Sequence, residues 1–259
     1  MPVLTRPWGA LHYQVHGPAD GPALVFANSL GTDLHLWDAV LPLLPAGMRV
    51  ICFDKPGHGL SDTRESESIQ DLADDAAALI EHLGAAPAIF VGLSIGGMIA
   101  QDLAVRRPDL LRAVVLTCTA AKMGDAAGWN ARINAVQTNG VASIADAVME
   151  RWFAPAFRAT PELAAYRNMM ARTEQQGYVA ACGALASADL TAATATITVP
   201  TLVIAGEADG ASPAALVKGT ADLIAGARFH VISGVGHIPC VEDPAAYAAI
   251  LNDFIGSLS

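Results

Sequence analysis

Charge is scarce in this chain: Asp, Glu, Lys and Arg together make up 15% of its 259 residues, against 53% hydrophobic. A chain so apolar does not stay disordered, and its length suits one large α/β domain. Cations are scarcer than anions, 15 Lys+Arg against 25 Asp+Glu, for a net charge of −10 with His neutral. No basic run occurs, and an acidic surface repels phosphate backbones, so no nucleic-acid partner is expected. A small anionic substrate would need a locally placed cation. The four cysteines, Cys52, Cys118, Cys182 and Cys240, form no CxxC pair and no cluster at zinc spacing. They read as buried, reduced thiols, with no metal site. The start, Met1 to Pro7, lacks the basic residues and apolar run of a signal peptide. No uncharged apolar run reaches the roughly 20 residues of a membrane span. Repeats and low-complexity linkers are absent too. These absences predict a cytoplasmic protein with no membrane partner.

What the chain does have is a series of short apolar runs bounded by Gly, Pro or Asp: 23–27, 49–53, 88–92, 111–117 and 201–205. Near-continuous apolar character predicts strands covered on both faces, as in a parallel sheet. Residues 11–16 alternate instead and read as an antiparallel edge strand. Residues 228–232 read as the last strand. Helical patterns fall between, at 69–83, with Asp71, Asp74 and Asp75 near its positive end, and at 96–106. Gly84 reads as a C-terminal cap. This alternation predicts an α/β fold, a mostly parallel sheet flanked by helices. From 121 to 189 no strand is legible; the stretch reads as a helical cap inserted into a core formed by 1–120 and 190–259.

Gly92-Leu93-Ser94-Ile95-Gly96 fits G-x-S-x-G, directly after a strand and before a helix. Such a turn is too sharp for side chains two residues either side of the serine, and it lifts Ser94 above the sheet edge. A serine nucleophile needs a base and an orienting acid, in chain order Ser, acid, His. Of the seven histidines only His237 lies in a loop after the last strand. His230 falls within that strand; His12, His16 and His82 read as surface or edge residues. The acid should follow the strand at 201–205: Asp209 is expected, with Glu207 as competitor. Oxyanion donors are expected from the N–H of Ile95 and, in the loop Asn28 to Asp33, from Leu30, with Ser29 as the alternative.

With these motifs the chain resembles the α/β-hydrolase family over essentially its whole length. Asp54-Lys55-Pro56-Gly57-His58-Gly59-Leu60-Ser61 is similar to a family loop in which the histidine is structural. Gly236-His237-Ile238-Pro239, with Glu242 and Pro244, is similar to the family's histidine loop. Asn28-Ser29 departs from the usual His-Gly at the oxyanion loop. Together with Cys118 to Gly124, Arg151-Trp152-Phe153 and the Gly177 to Leu190 region, it resembles the 3-oxoadipate enol-lactonase group. That resemblance implies cofactor-free hydrolysis of 3-oxoadipate enol-lactone, a small anionic lactone, to 3-oxoadipate in bacterial breakdown of aromatic compounds. A carboxylate-bearing substrate would meet Trp129 and Arg132, three apart and so on one helix face; Lys122, Arg151, Arg158, Arg167 and Arg172 are the other cations of the stretch. The alternatives are a carboxylesterase or C–C bond hydrolase of the same fold, or a ligand-binding receptor on a hydrolase scaffold. Ser94 at the elbow, rather than Asp, disfavours a dehalogenase.

Overall fold

The computed structural model describes residues 1–258. Eight strands form one sheet: β1 Val3–Arg6, β2 Gly9–His16, β3 Ala23–Ala27, β4 Arg49–Phe53, β5 Ala88–Leu93, β6 Leu111–Thr117, β7 Thr201–Gly206 and β8 Arg228–Ile232. Their order is β1-β2-β4-β3-β5-β6-β7-β8, antiparallel between β1, β2 and β4 and parallel from β4 onward. Every residue of β3, β5 and β7 is buried, because helices cover both faces, as their unbroken apolar runs required. Edge strand β8 is mostly half-exposed.

Two expectations for the N-terminal region need correction. Residues 11–16 lie in β2, which is not an edge strand; β1 pairs outside it, Val3 opposite His12. His12 is accordingly buried, with Nδ1 2.8 Å from Asp54 Oδ2. Four residues holding an Arg and alternating only between exposed and half-exposed give β1 little hydrophobic signal.

Helix α1 spans Ile69–His82 and opens on a capping box between Ser68 and Asp71. Only Asp71 serves the helix start in the way expected. Asp75 is buried and gathers Arg6, Trp8 and Arg64, so it ties β1 and the following loop to the helix. Gly84 follows the helix with φ +57°, the left-handed conformation that ends helices. Helix α2 spans Ile95–Arg106.

Between β6 and β7 the described chain is helical and strand-free: α3 Ala126–Asn139, α4 Ala145–Trp152, α5 Pro155–Arg158, α6 Leu163–Ala171, α7 Gln175–Ser187 and α8 Thr191–Thr194. Helices α9 Ala214–Ala221, α10 Pro239–Glu242 and α11 Pro244–Gly256 complete the fold. The four cysteines are free and buried. No helix among the described residues is long and apolar enough to cross a membrane.

The strand order reverses at β3, whose parallel neighbours are β4 on one side and β5 on the other. In an open α/β sheet, loops leaving the carboxyl ends of strands at such a point diverge and leave a crevice. Asn28 to Thr32 follows β3, Ser94 follows β5, and Asp209 follows β7.

Candidate active site

Ser94 sits where β5 turns directly into α2, with φ +58° and ψ −118°. That is a costly conformation for a residue with a side chain, and it persists only when neighbours hold it. Ser94 N–H donates to Thr117 O at 2.9 Å, and Thr119 Oγ1 donates to Ser94 O at 2.7 Å. The turn is as tight as the glycines imply. A Cβ on Gly92 would lie 2.1 Å from Gly96 O, and one on Gly96 2.1 Å from Ala27 O. The second contact brings α2 against the end of β3, and so brings Ser94 beside the loop that begins at Asn28.

Asp209 and His237 meet although they come from different loops: His237 Nδ1 lies 2.8 Å from Asp209 Oδ2, and both residues are buried. The Asp209 carboxylate is saturated. Oδ1 accepts from the N–H groups of Ala211 at 2.7 Å and Ser212 at 2.9 Å, while Ser212 Oγ lies 2.6 Å from Oδ2. Burial pushes the Asp209 carboxyl up, but the adjacent His237 and the donors from His237 and Ser212 outweigh it and hold the group below its ordinary value. His237 is also held from the helical side: its backbone N–H donates to Trp152 O at 2.6 Å, and the Trp152 ring lies stacked on the imidazole at 6.1 Å. Glu242 accepts from Gly236 N–H at 2.7 Å and Ala154 N–H at 2.8 Å, clamping the same loop. Glu207 is exposed and accepts from Gly234 N–H, so it faces away from His237.

Ser94 and His237 open onto one cavity of about 270 Å³, together with Ser29 and Leu30. Among the described residues no hydrogen bond joins Ser94 to His237; such bonds often tighten only when substrate is bound. The cavity's far wall comes from the helical stretch: Trp129 and Arg132 of α3, and Val148, Arg151 and Trp152 of α4. Arg132 lies over the Trp129 ring, 5.1 Å from its centroid. Arg151 also reaches the cavity, its Nε donating to Gly210 O at 3.2 Å. Burial, and then the nearby Arg132 charge, lower the Arg151 pKa. The other cations lie elsewhere. Lys122 pairs with Asp189 and Arg167 with Asp146, while Arg172 lines a separate groove with Asp33; Arg158 does not line the cavity.

Sequence reasoning missed Ser212 and Lys55. Ser212 Oγ lies within 3.2 Å of His237 Nδ1 as well as near Asp209; its position three residues after the acid was the available signal. Lys55 is fully buried beneath the Asn28 to Thr32 loop. His58, expected to be structural, is buried, accepts from Gly31 N–H at 3.0 Å through Nε2, and is 2.8 Å from Pro56 O through Nδ1. Burial and the Lys55 charge keep its pKa well below the usual imidazole value. Cys118 S, Asp209 O and His237 N lie within 4.8 Å of one another. Burial raises the Cys118 thiol pKa.

A buried acid bound to a histidine, and a strained serine at a helix start, are parts suited to acyl transfer. The family model for the alpha/beta hydrolase fold matches residues 22–244. The chain is 37% identical to 3-oxoadipate enol-lactonase 2 of Acinetobacter baylyi, over 95% of this chain and 92% of that protein. The crystal structure of the enol-lactonase from Burkholderia xenovorans LB400 superposes with a TM-score of 0.95 at 35% identity, covering 98% of this chain and all of that one. A thermophilic esterase from Thermogutta terrifontis, solved with malate bound, gives 0.92 at 26% identity, over 99% and 98% of the two chains.

Proposed function

The chain belongs to the alpha/beta hydrolase family, and on that premise we propose that it opens the ring of 3-oxoadipate enol-lactone with Ser94 as nucleophile, His237 as base and Asp209 as orienting acid. The observation that carries the substrate class is the pair Arg132 and Arg151. Both face the cavity that holds Ser94, and neither forms an ion pair among the described residues. Two guanidinium groups without a carboxylate partner, facing the cavity of a candidate nucleophile, suit a substrate carboxylate. The cavity is at the small end for ligand sites, which suits a six-carbon lactone. Residues 121–189 act as the cap that brings these cations over the site, in a protein working in the cytoplasm on products of aromatic breakdown.

Ser94 Oγ attacks the lactone carbonyl as His237 Nε2 takes its proton. The N–H groups of Ile95 and Leu30 receive the oxyanion. The ring C–O bond breaks as His237 gives its proton to the departing ring oxygen, and the leaving group stays tethered as an enol. A tethered alcohol would re-close, because its effective concentration is high; the enol instead becomes a ketone, a poor nucleophile. Water then gives a proton to His237 and attacks the acyl carbon; the bond to Ser94 Oγ breaks, His237 returns the proton to Oγ, and the diacid is released. No cofactor enters the scheme.

A carboxylesterase is the second reading, favoured by the apolar wall of Met123, Val148 and Leu185. Turnover of the enol-lactone, generated in place from its precursor lactone, against a panel of neutral esters separates the two. The lactonase reading expects kcat/KM on the enol-lactone to exceed the best neutral ester at least ~30-fold, the smaller effect of a shielded carboxylate contact. Equal or better turnover of a neutral ester supports the esterase.

A further inference from the structure

Lys55 lies two residues past the end of β4, after Asp54, and is buried. Such an ammonium normally sits against a carboxylate, yet Lys55 forms no ion pair among the described residues. Its neighbour Asp54 is committed elsewhere, to Leu34 N–H, Leu60 N–H and His12. Lys55 Nζ instead donates to two backbone carbonyls of one loop, Ser29 O at 2.6 Å and Thr32 O at 3.3 Å. Ser29 O also accepts from Thr32 Oγ1 at 2.9 Å and from Thr32 N–H at 3.3 Å. Asn28 Nδ2 in turn donates to Thr32 O and Thr32 Oγ1.

The Ser29 carbonyl belongs to the same peptide unit as the Leu30 N–H. A trans peptide is planar, so its C=O and N–H point in opposite directions. Pinning Ser29 O toward Lys55 therefore turns the Leu30 N–H the other way. That N–H has no acceptor among the described residues, and Leu30 lines the cavity with Ser94. A cation on the carbonyl oxygen also withdraws electron density from the amide and makes its N–H a stronger donor. In a dry site that polarisation is poorly screened.

We infer that Lys55 is a positioning residue for the oxyanion hole: its ammonium, bound to the carbonyl of the Ser29–Leu30 peptide, aims and polarises the Leu30 N–H toward the oxygen that becomes anionic when Ser94 attacks. The inference rests on the reading of Ser94 as nucleophile. It needs no particular ester, since every acyl substrate passes through the same oxyanion. The contribution appears where charge develops, so it acts on the transition state more than on the bound substrate. Burial lowers the Lys55 pKa to about 7, with Asp54, Glu67 and Asp33 opposing that fall; about half of the molecules therefore carry the charge at pH 7 and more below it.

The test uses Lys55→Met, similar in length but with neither charge nor donor, and Thr32→Val, which removes a second donor from Ser29 O. Both are compared with wild type in p-nitrophenyl acetate hydrolysis and in phosphonylation of Ser94 by a fluorophosphonate, with thermal melting as the check on folding. Removing an oxyanion donor outright costs ~10²–10³ in kcat; a donor that remains but loses its aim should cost less, ~10–100-fold for Lys55→Met and ~3–10-fold for Thr32→Val. KM should stay within ~3-fold, and the phosphonylation rate should fall in the same proportion as kcat, because the phosphonyl oxygen occupies the same hole. A folded Lys55→Met with wild-type kcat and phosphonylation rate, or with a change in KM alone, overturns the inference. If Lys55→Met does not melt cooperatively, wild-type kcat in Thr32→Val overturns it. A wild-type protein that the fluorophosphonate leaves unlabelled removes the Ser94 reading and this inference with it; a labelled wild type with unaffected variants removes this inference alone.

Discussion

Gly57 and Gly177 pack backbone against backbone: a Cβ on either would lie 2.3 Å from the Cα of the other. Gly57 belongs to the loop after β4, and Gly177 to the first turn of α7. The contact docks the helical stretch on the sheet within two residues of Lys55 and directly beside Tyr178, which packs on the Asn28 to Thr32 loop at Gly31.

Gly177→Ala should therefore destabilise the protein although it improves the helix. Alanine gains about 1 kcal/mol over glycine in a helix interior, while forced overpacking costs about 1–3 kcal/mol. A net loss of about 1 kcal/mol, or about 2–4 °C in Tm at this chain length, is expected. Gly183 lies on the same helix, and beyond its own stretch of helix nothing comes within 4 Å of its would-be Cβ, so Gly183→Ala should raise Tm. Calorimetry on the two variants checks the sign of each.

The sheet is largely legible in the sequence, because buried parallel strands must be apolar on both faces and so stand out as runs. The same logic hid β1, which buries little, and it misplaced His12, whose strand gains a partner on its outer side. At the candidate site, the sharp turn at Ser94 could be read from local turn chemistry, and the pairing of Asp209 with His237 from chain order. Lys55 could not. A lysine beside Pro-Gly-His-Gly looks like a solvent loop, and its burial depends on the long-range meeting of Gly57 with Gly177. Ser212 escaped for a related reason: a serine in a loop acquires meaning only once the acid's free lone pairs are located in space.

Ser212→Ala should reduce kcat about 10-fold and leave KM nearly unchanged. It removes one of the hydrogen bonds that fix Asp209, each worth about 1.5–3 kcal/mol to a charged group, but leaves the His237 contact and two backbone donors. Asp209→Asn should cost far more, about 10⁴-fold, because it spoils the imidazole's tautomer and orientation. Steady-state kinetics on any accepted ester ranks the two. A Ser212→Ala loss as large as that of Asp209→Asn would mean that the hydroxyl, not the carboxylate, holds His237.

Burying Lys55 should leave a signature in stability against pH. Its pKa is lowered to about 7 in the folded protein, against ~10.4 unfolded. Between those values the unfolded state binds more protons, so this group's contribution makes stability rise with pH from about 7 to about 10. Each pKa unit is worth about 1.4 kcal/mol, so the rise is at most about 4–5 kcal/mol. The four cysteines act in the opposite sense above the ordinary thiol pKa, because burial raises theirs. They cancel when wild type is compared with Lys55→Met. Urea unfolding of both at pH 7 and pH 9 should give a difference that shifts in favour of wild type at the higher pH. A difference independent of pH would show an unshifted lysine.

Arg132→Ala should lower kcat/KM on the enol-lactone by roughly 30- to 3,000-fold, the effect of truncating one partner of a shielded pair at about 2–5 kcal/mol. A small neutral ester, with no carboxylate to lose, should be nearly unaffected. Arg132→Lys should recover part of the loss, since an ammonium cannot make the two parallel bonds of the guanidinium fork. Equal losses on both substrates would indicate a damaged α3 rather than a lost contact. No loss on the lactone would transfer the role to Arg151, the other unpaired guanidinium on the cavity wall.

The most direct measurement is the turnover of 3-oxoadipate enol-lactone by wild type and by Ser94→Ala, followed as loss of the lactone with the diacid product identified. Wild type should turn it over with kcat/KM in the ordinary enzymatic range of about 10⁴–10⁸ M⁻¹s⁻¹. Ser94→Ala, folded and with unchanged Tm, should be slower by on the order of 10⁶ in kcat. Wild-type protein that leaves the enol-lactone intact while hydrolysing other esters would contradict the substrate; a Ser94→Ala variant that keeps more than a few per cent of the activity would contradict the mechanism.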